Sequence, residues 1–375
     1  MKSENWKTVR VGDVCILEKG KQIDTSLLDD SNPYRYINGG IKESGFFSDF
    51  NTEGESVLIS EGGASCGYIN YVNEKFWCGC HCYRLHDIKV FPKYLFHALK
   101  ANQRRIMALR TGCAMPNIQK TTIQNFELNI HEKLETQKHI AAVLDKCTAV
   151  IAKHKQMLTK YDTLIKSRFI EMFENISSDN WKIVSISDVC SNTRTGPFGS
   201  ALHHDEFVDR GVFVLGIDNA VQNKFSYKRM RYITKEKYET LKRYTVYPED
   251  IIITIMGTIG RSAVIPKDFP LAINTKHLAC LTVNKEFIDP IFLCSAFQIH
   301  TMIRSQLKLK TKGAIMDGLN LGIIRELRFP LPPLSLQRRF AAFVQQIDKS
   351  KFAVQKSLDK AETLYKALMQ EYFGA

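Results

Sequence analysis

The chain has 375 residues, 44% of them hydrophobic and 24% charged, an ordinary soluble composition long enough for two or three domains with separate cores. No apolar run approaches the ~20 residues of a membrane-spanning helix, and the opening MKSENWKTVR lacks a secretory signal's apolar stretch, so a cytoplasmic location is expected. Fifty-two Lys and Arg against 39 Asp and Glu give +13, which favours an anionic partner, nucleic acid ahead of a membrane surface.

The first phrase, NWKTVRVGDVC (5–15), alternates like a short strand entering a turn or helix. Trp6 reads as a packing anchor and Asp13 as a cap or turn former. SNPYRY (31–36) lacks the second proline of the Asn-Pro-Pro-Tyr motif of amino-methyltransferases, and no Gly-rich methyl-donor loop accompanies it. SVLIS is short and β-branched, the pattern of a buried strand, and a Gly-rich turn, EGGASCG, follows. The cluster CGCHC (Cys78, Cys80, His81, Cys82) raises a metal site, but its spacing is not that of structural zinc. On one strand the three cysteines share a face, and a row of small apolar residues in a core explains them. The ten cysteines read as reduced thiols, and no metal is expected. Residues 92–109 have helical spacing, and 88–110 hold six Lys or Arg and no acid.

A heptad follows. From Ile140 it runs through Leu144, Cys147, Ile151, His154, Leu158, Tyr161, Ile165, Arg168 and Met172. No Gly or Pro interrupts 134–173, so a helix about 60 Å long is expected, with a narrow seam that needs a partner.

Then the chain repeats itself. NWKIVSISDVC (180–190) matches the opening phrase at seven of eleven positions, with Trp181 and Asp188 in place of Trp6 and Asp13. VLISEGGASCG faces IIITIMGTIGR, PKYLFHAL faces PIFLCSAF, and LETQKHIAAVL faces LSLQRRFAAFV. The offset grows from 175 to 200, so the second copy is longer, mostly in its first part. A period near 200 is too long for a solenoid and reads as duplication of a domain-plus-helix module. The second heptad places Phe340, Val344, Ile347, Lys351, Val354, Leu358, Ala361, Tyr365, Leu368 and Tyr372 on a seam, and PLPPLSLQ leads into that helix. The two helices are expected to pair with each other, antiparallel.

GTIGRS (257–262) is two residues short of a P-loop and has Arg for Lys, so it reads as a turn or a DNA-facing loop. The common catalytic motifs are absent, which argues for a binding protein. Residues 224–243 hold eight basic and two acidic residues with Tyr227, Tyr232 and Tyr238 interleaved. The candidate DNA contacts of the first copy are Lys19, Lys21, Arg35, Lys93, Arg104, Arg105 and Arg110. Those of the second are Arg194, His203, Lys224, Lys228, Arg229, Arg231, Arg261, Lys276, Lys308, Lys310 and Lys312. The segments after the shared phrase, EKGKQID against SNTRTGPFGS, are where the two copies are expected to diverge.

The expected fold is mixed α/β: globular segments 1–132 and 176–332, each followed by a long helix, 133–175 and 333–375, the helices forming an antiparallel coiled coil. The doubled N-W-K-x-V-x-x-x-D-V-C, the P-L-P-P-L-x-x-Q lead and the helix ends IKSRFIEMF and YKALMQEYF resemble the specificity subunit of type I restriction–modification systems over essentially the whole chain. The first copy departs from the Pro-rich lead, reading NIHEKLETQ. The resemblance implies two target-recognition domains, each reading one half of a bipartite asymmetric DNA site. It also implies that the coiled coil sets their spacing and docks two methyltransferase subunits. S-adenosylmethionine and ATP would sit on methyltransferase and motor-nuclease partners, with no cofactor and no catalysis on this chain. A coiled-coil DNA-binding adaptor, or a methyltransferase or nuclease with unrecognised motifs, are the alternatives.

Overall fold

The doubled opening phrase builds one device twice. In the computed structural model, Trp6–Arg10 pairs antiparallel with Glu127–His131, and Ile183–Ser185 with Arg328–Pro330. Each shared aspartate closes the turn that follows: Asp13 Oδ2 accepts from the Arg10 N–H at 3.0 Å, and Asp188 Oδ2 from the Ser185 N–H at 2.8 Å. Trp6 packs edge-on against His131 and Trp181 lies tilted against Phe173, both at the margin of a core, as packing anchors should be. The described residues are 5–112, 114, 116–174, 181–198, 201–227, 229–311 and 319–374.

The same four-stranded sheet then appears in each copy. Its order is Ile16–Lys19, Cys82–His86, Ser56–Ser60, Ile69–Val72 in the first. In the second it is Cys190–Thr195, Leu278–Val283, Ile251–Thr254, Ser262–Val264. SVLIS and IIIT are the buried central strands their composition predicts. A smaller sheet carries one parallel pair per copy, Tyr34–Ile37 with Phe76–Cys78 and Val212–Leu215 with Ala272–Asn274. The extra length of the second copy falls between those two strands, where it forms the helix Lys235–Leu241 and the strand Thr245–Val246.

The cysteine row is corrected here. Cys78 ends one strand, Cys82 begins another in a different sheet, and Gly79–His81 turn between them, so the three thiols do not share a strand face. Cys78 and Cys82 are buried with Ile37, Leu58, Val72 and Phe76, while Cys80 lies outside. Among the described residues no cluster of His, Cys, Asp or Glu could hold a metal ion.

Each helical segment is two helices rather than one. Pro92–Ala101 is followed by Gln103–Ala108, and Pro290–Ile299 by Thr301–Thr311. Proline at the first helical position starts both pairs. The breaks fall at Asn102, whose amide caps Ala98 O at 2.9 Å, and at His300, whose backbone is extended.

The long helices are Leu134–Phe173 and Leu334–Phe373, 40 residues each. The chain forms two compact units, 1–156 with 355–375, and 157–354, so each long helix is shared between them. In the first unit Ile140, Ala141 and Leu144 join one core with Met369 and Phe373, and Lys155 meets Glu362 at 2.8 Å. In the second, Phe169 and Phe173 pack on Phe340, and Asp162 pairs with Lys351. Within each unit the partners therefore run antiparallel. Ile347 and Leu358 are buried, and Ile151, Leu158, Ile165 and Tyr365 are half-buried. The heptad count slips at its far end. Four heptads past Ile140 a helix of 3.6 residues per turn has drifted by about 80°. Phe169, not Arg168, is therefore the buried residue, and Arg168 bonds Glu171 instead. Likewise Met369 and Phe373 are buried while Leu368 and Tyr372 stay marginal.

One buried glutamine per copy ties the start of each long helix to its domain. Gln137 accepts from the Phe91 N–H at 2.9 Å and donates to His131 O at 2.7 Å. Gln337, fully buried, accepts from the Asp289 N–H at 2.9 Å and donates to Pro332 O at 2.8 Å and Phe287 O at 3.1 Å. No helix among the described residues is long and apolar enough to cross a membrane.

Candidate nucleic-acid interface

The structure sorts the basic residues by what already holds them. Arg194 is corrected: it is 8% exposed and bound by Asp250, by Thr245 O at 2.7 Å and by Thr282 Oγ1 at 2.8 Å. It holds the second domain together and is not available to DNA. Lys93 is half-buried between Asp145, at 3.2 Å, and the Tyr71 ring. Arg35 pairs with Glu74, Arg231 with Asp218 at 2.7 Å, Lys310 with Glu326 at 2.7 Å, and Lys19 with Glu61 at 2.5 Å. Those four keep charge at the surface but carry a carboxylate with it. Arg105 bonds Asn102 Oδ1 at 2.7 Å and covers Phe126. His203 is exposed, with its N–H on Glu206 at 2.6 Å. Arg229 is exposed and only distantly paired, 3.9 Å from Asp218. Lys21, Arg104, Arg110, Lys224, Arg261 and Lys276 are exposed, with no ion pair among the described residues. Lys308 is exposed as well, whereas Lys228 and Lys312 lie outside the described residues.

One group is brought together. Arg261 and Lys308, far apart in sequence, line a cleft of about 560 Å³ with Arg304, Asn223, Gln298 and Ser305. Of these, Gln298 and Asn223 carry no charge and gave no signal in the sequence. Arg304 is not among the candidate contacts, although it lies four residues before Lys308.

The units also differ where the long helices meet the globular part. In the first, Tyr71, Lys93, Phe96, His97 and Asp145 pack together, with the buried His97 Nε2 2.8 Å from Asp145. Burial pushes the His97 imidazole below its usual value, against the pull of Asp145. The strand register and the helix offsets place Val264, Ile291, Cys294, Ser295 and Gln345 at the corresponding positions of the second unit. Val264, Cys294 and Ser295 are smaller than their counterparts, and all five line a cleft of about 910 Å³.

The comparisons with known proteins agree with this architecture. The family model for the type I restriction modification DNA specificity domain matches residues 3–160 and again 178–362, and the chain belongs to that family. A putative type I specificity subunit of Mycoplasma genitalium is 23% identical, over 98% of this chain and 94% of its own length. The specificity subunit of the type I restriction enzyme MjaVIII of Methanocaldococcus jannaschii is 24% identical, over 98% and 91%. The crystal structure of a type I S subunit from M. genitalium superposes with a TM-score of 0.72 at 20% identity, covering 100% of this chain and 98% of that one.

Proposed function

We propose that this chain is the non-catalytic DNA-specificity subunit of a cytoplasmic type I restriction–modification complex. Each globular domain reads one half of a bipartite, asymmetric DNA site. The paired helices set the distance between the halves and dock two methyltransferase subunits. Those subunits carry the S-adenosylmethionine, and motor-nuclease subunits carry the ATP. The observation that supports this best is the doubled fold: one sheet order, one aspartate turn and one glutamine tie, used twice beneath unlike charged loops. One scaffold with two surfaces is what an asymmetric two-part site needs, because base readout depends on the side chains presented rather than on the framework.

The test is to purify the chain with its methyltransferase partner and map the methylated sites. Exchanging residues 5–132 for the matching segment of a relative should change one half of the motif only. Adding one heptad to both long helices should lengthen the helix pair by about 10 Å, or about 3 base pairs of spacer. An unchanged spacer preference would refute the ruler, and methyl transfer by the chain alone would refute the non-catalytic assignment.

A further inference from the structure

The turn after the central strand is built to one plan in both units. In the first, the Gly67 N–H donates to Ser60 O at 2.8 Å and the Ser60 N–H to Tyr68 O at 2.9 Å. In the second, the Gly260 N–H donates to Thr254 O at 2.9 Å and the Thr254 N–H to Arg261 O at 2.8 Å. Both glycines have positive φ, 83° and 77°. The pattern fixes the equivalence: Gly67 with Gly260, and Tyr68 with Arg261.

What surrounds the two turns differs. At Gly67 a Cβ would lie 2.9 Å from the Met107 Cα, so the first turn rests directly on the helix Gln103–Ala108. At Gly260 the nearest atom is Leu307 Cδ1 at 3.6 Å, and the cleft opens between turn and helix. The first unit covers Tyr68 with its own cation, Lys100 Nζ, 3.9 Å from the ring centre. That ammonium is also bonded to Ile69 O and Gln103 Oε1, and burial pushes its pKa down to about 8. The second unit instead places the exposed Arg261 at the cleft, opposite Arg304, whose Nη1 is held on Gln298 O at 2.8 Å. Among the described residues the lining has three cations, three neutral polar side chains and no carboxylate.

We propose that this cleft seats one backbone phosphodiester of the DNA, held by Arg261 and Arg304, on the second half-site and not the first. The inference rests on the specificity-subunit reading above. A concave site with two guanidiniums suits a phosphate oxygen pair, because the planar guanidinium fork matches it. Such a contact positions the domain and carries no base information.

The experiment is a salt titration of the full chain on a random-sequence duplex, read by fluorescence anisotropy. Each phosphate neutralised contributes about 0.9 to the slope of log K against log salt. Arg261→Gln with Arg304→Gln should lower the slope by about 0.9, the share of one phosphate, while the methyltransferase complex keeps the same methylated motif. Lys182→Gln with Arg328→Gln removes equal charge away from the cleft and should leave the slope as it was. Thermal melting checks that all variants fold. Inorganic phosphate at constant ionic strength tests the other source of the same chemistry. If phosphate raises the melting temperature only when both arginines are present, and the DNA slope does not move, the cleft is a free-anion site and the proposal falls. It also falls if the cleft variant behaves like the control pair, or if the methylated motif changes. Loss of salt-dependent DNA binding by the unmodified chain would instead defeat the specificity-subunit reading itself.

Discussion

Replacing Gln337 with methionine tests whether the long helices are fixed to their domains by one side chain each. Methionine keeps the length of glutamine but offers no hydrogen bonds, so three backbone groups lose a partner: the buried Pro332 O and the part-buried Asp289 N–H and Phe287 O. At about 1–2 kcal/mol for each orphaned group the cost is about 3–6 kcal/mol. Gln137→Met orphans two groups, Phe91 N–H and His131 O, so about 2–4 kcal/mol is expected. The order is the sharper expectation: the second copy should be hurt more, by about one hydrogen bond. Urea denaturation gives the midpoints, and hydrogen exchange at Asp289 and Phe91 reads the two lost bonds directly. Equal protection at Asp289 in the variant and the original, or a cost below about 1 kcal/mol, would refute the tie.

Arg194→Met leaves the Asp250 carboxylate, 2% exposed, without its ion pair. A loss of about 3–5 kcal/mol is expected, partly recovered by adding Asp250→Asn, with the methylated motif unchanged wherever the complex still assembles. A changed motif with normal stability would return Arg194 to the DNA interface. Lys100 is held near 8, below its ordinary 10.5, so the folded chain binds fewer protons than the unfolded chain between those values. Its contribution to stability should therefore rise with pH across that window, seen as a pH-dependent gap in urea midpoint between the original and Lys100→Met. A gap that stays flat from pH 7.5 to 10.5 would contradict the burial assigned to its ammonium. The backbone and side-chain bonds from Ser185 hold Asp188 below 3.8. Stability from that turn is present above that pH and lost on acidification through the folded value, so Asp188→Ala should melt lower at neutral pH and show a shallower acid loss.

The framework was legible because the chain repeats itself and the helical and strand periods are strong. The Trp phrase, the central strands and both long helices came from such patterns. Three features could not be read that way. The heptad predicted Arg168 on the seam because a 3.5-residue count accumulates error along a long helix, whereas Phe169 is the residue that turns inward. Arg194 passed for a DNA contact because charge says nothing of burial, and its partner Asp250 lies 56 positions away. CGCHC looked like one strand because the turn at Gly79–His81 has no proline and no Asn-Gly pair to mark it.

The placement of variation between the copies explains how one scaffold can present two surfaces. Positions that fix the backbone are kept: the aspartates after each first strand, the positive-φ glycines of the turns and the glutamines that anchor the helices. Other positions change size and charge, as Tyr68 to Arg261, Phe96 to Cys294 and Asp145 to Gln345 do. The turn itself loses one residue, 61–67 against 255–260, without losing either of its closing hydrogen bonds. Because the closing bonds involve main-chain atoms, the loop between them is free to vary in length and side chains at little cost to the sheet. A one-residue change there brings Arg261 to the mouth of an open cleft where Tyr68 lies under a lysine, so the two halves diverge in electrostatics while sharing a fold.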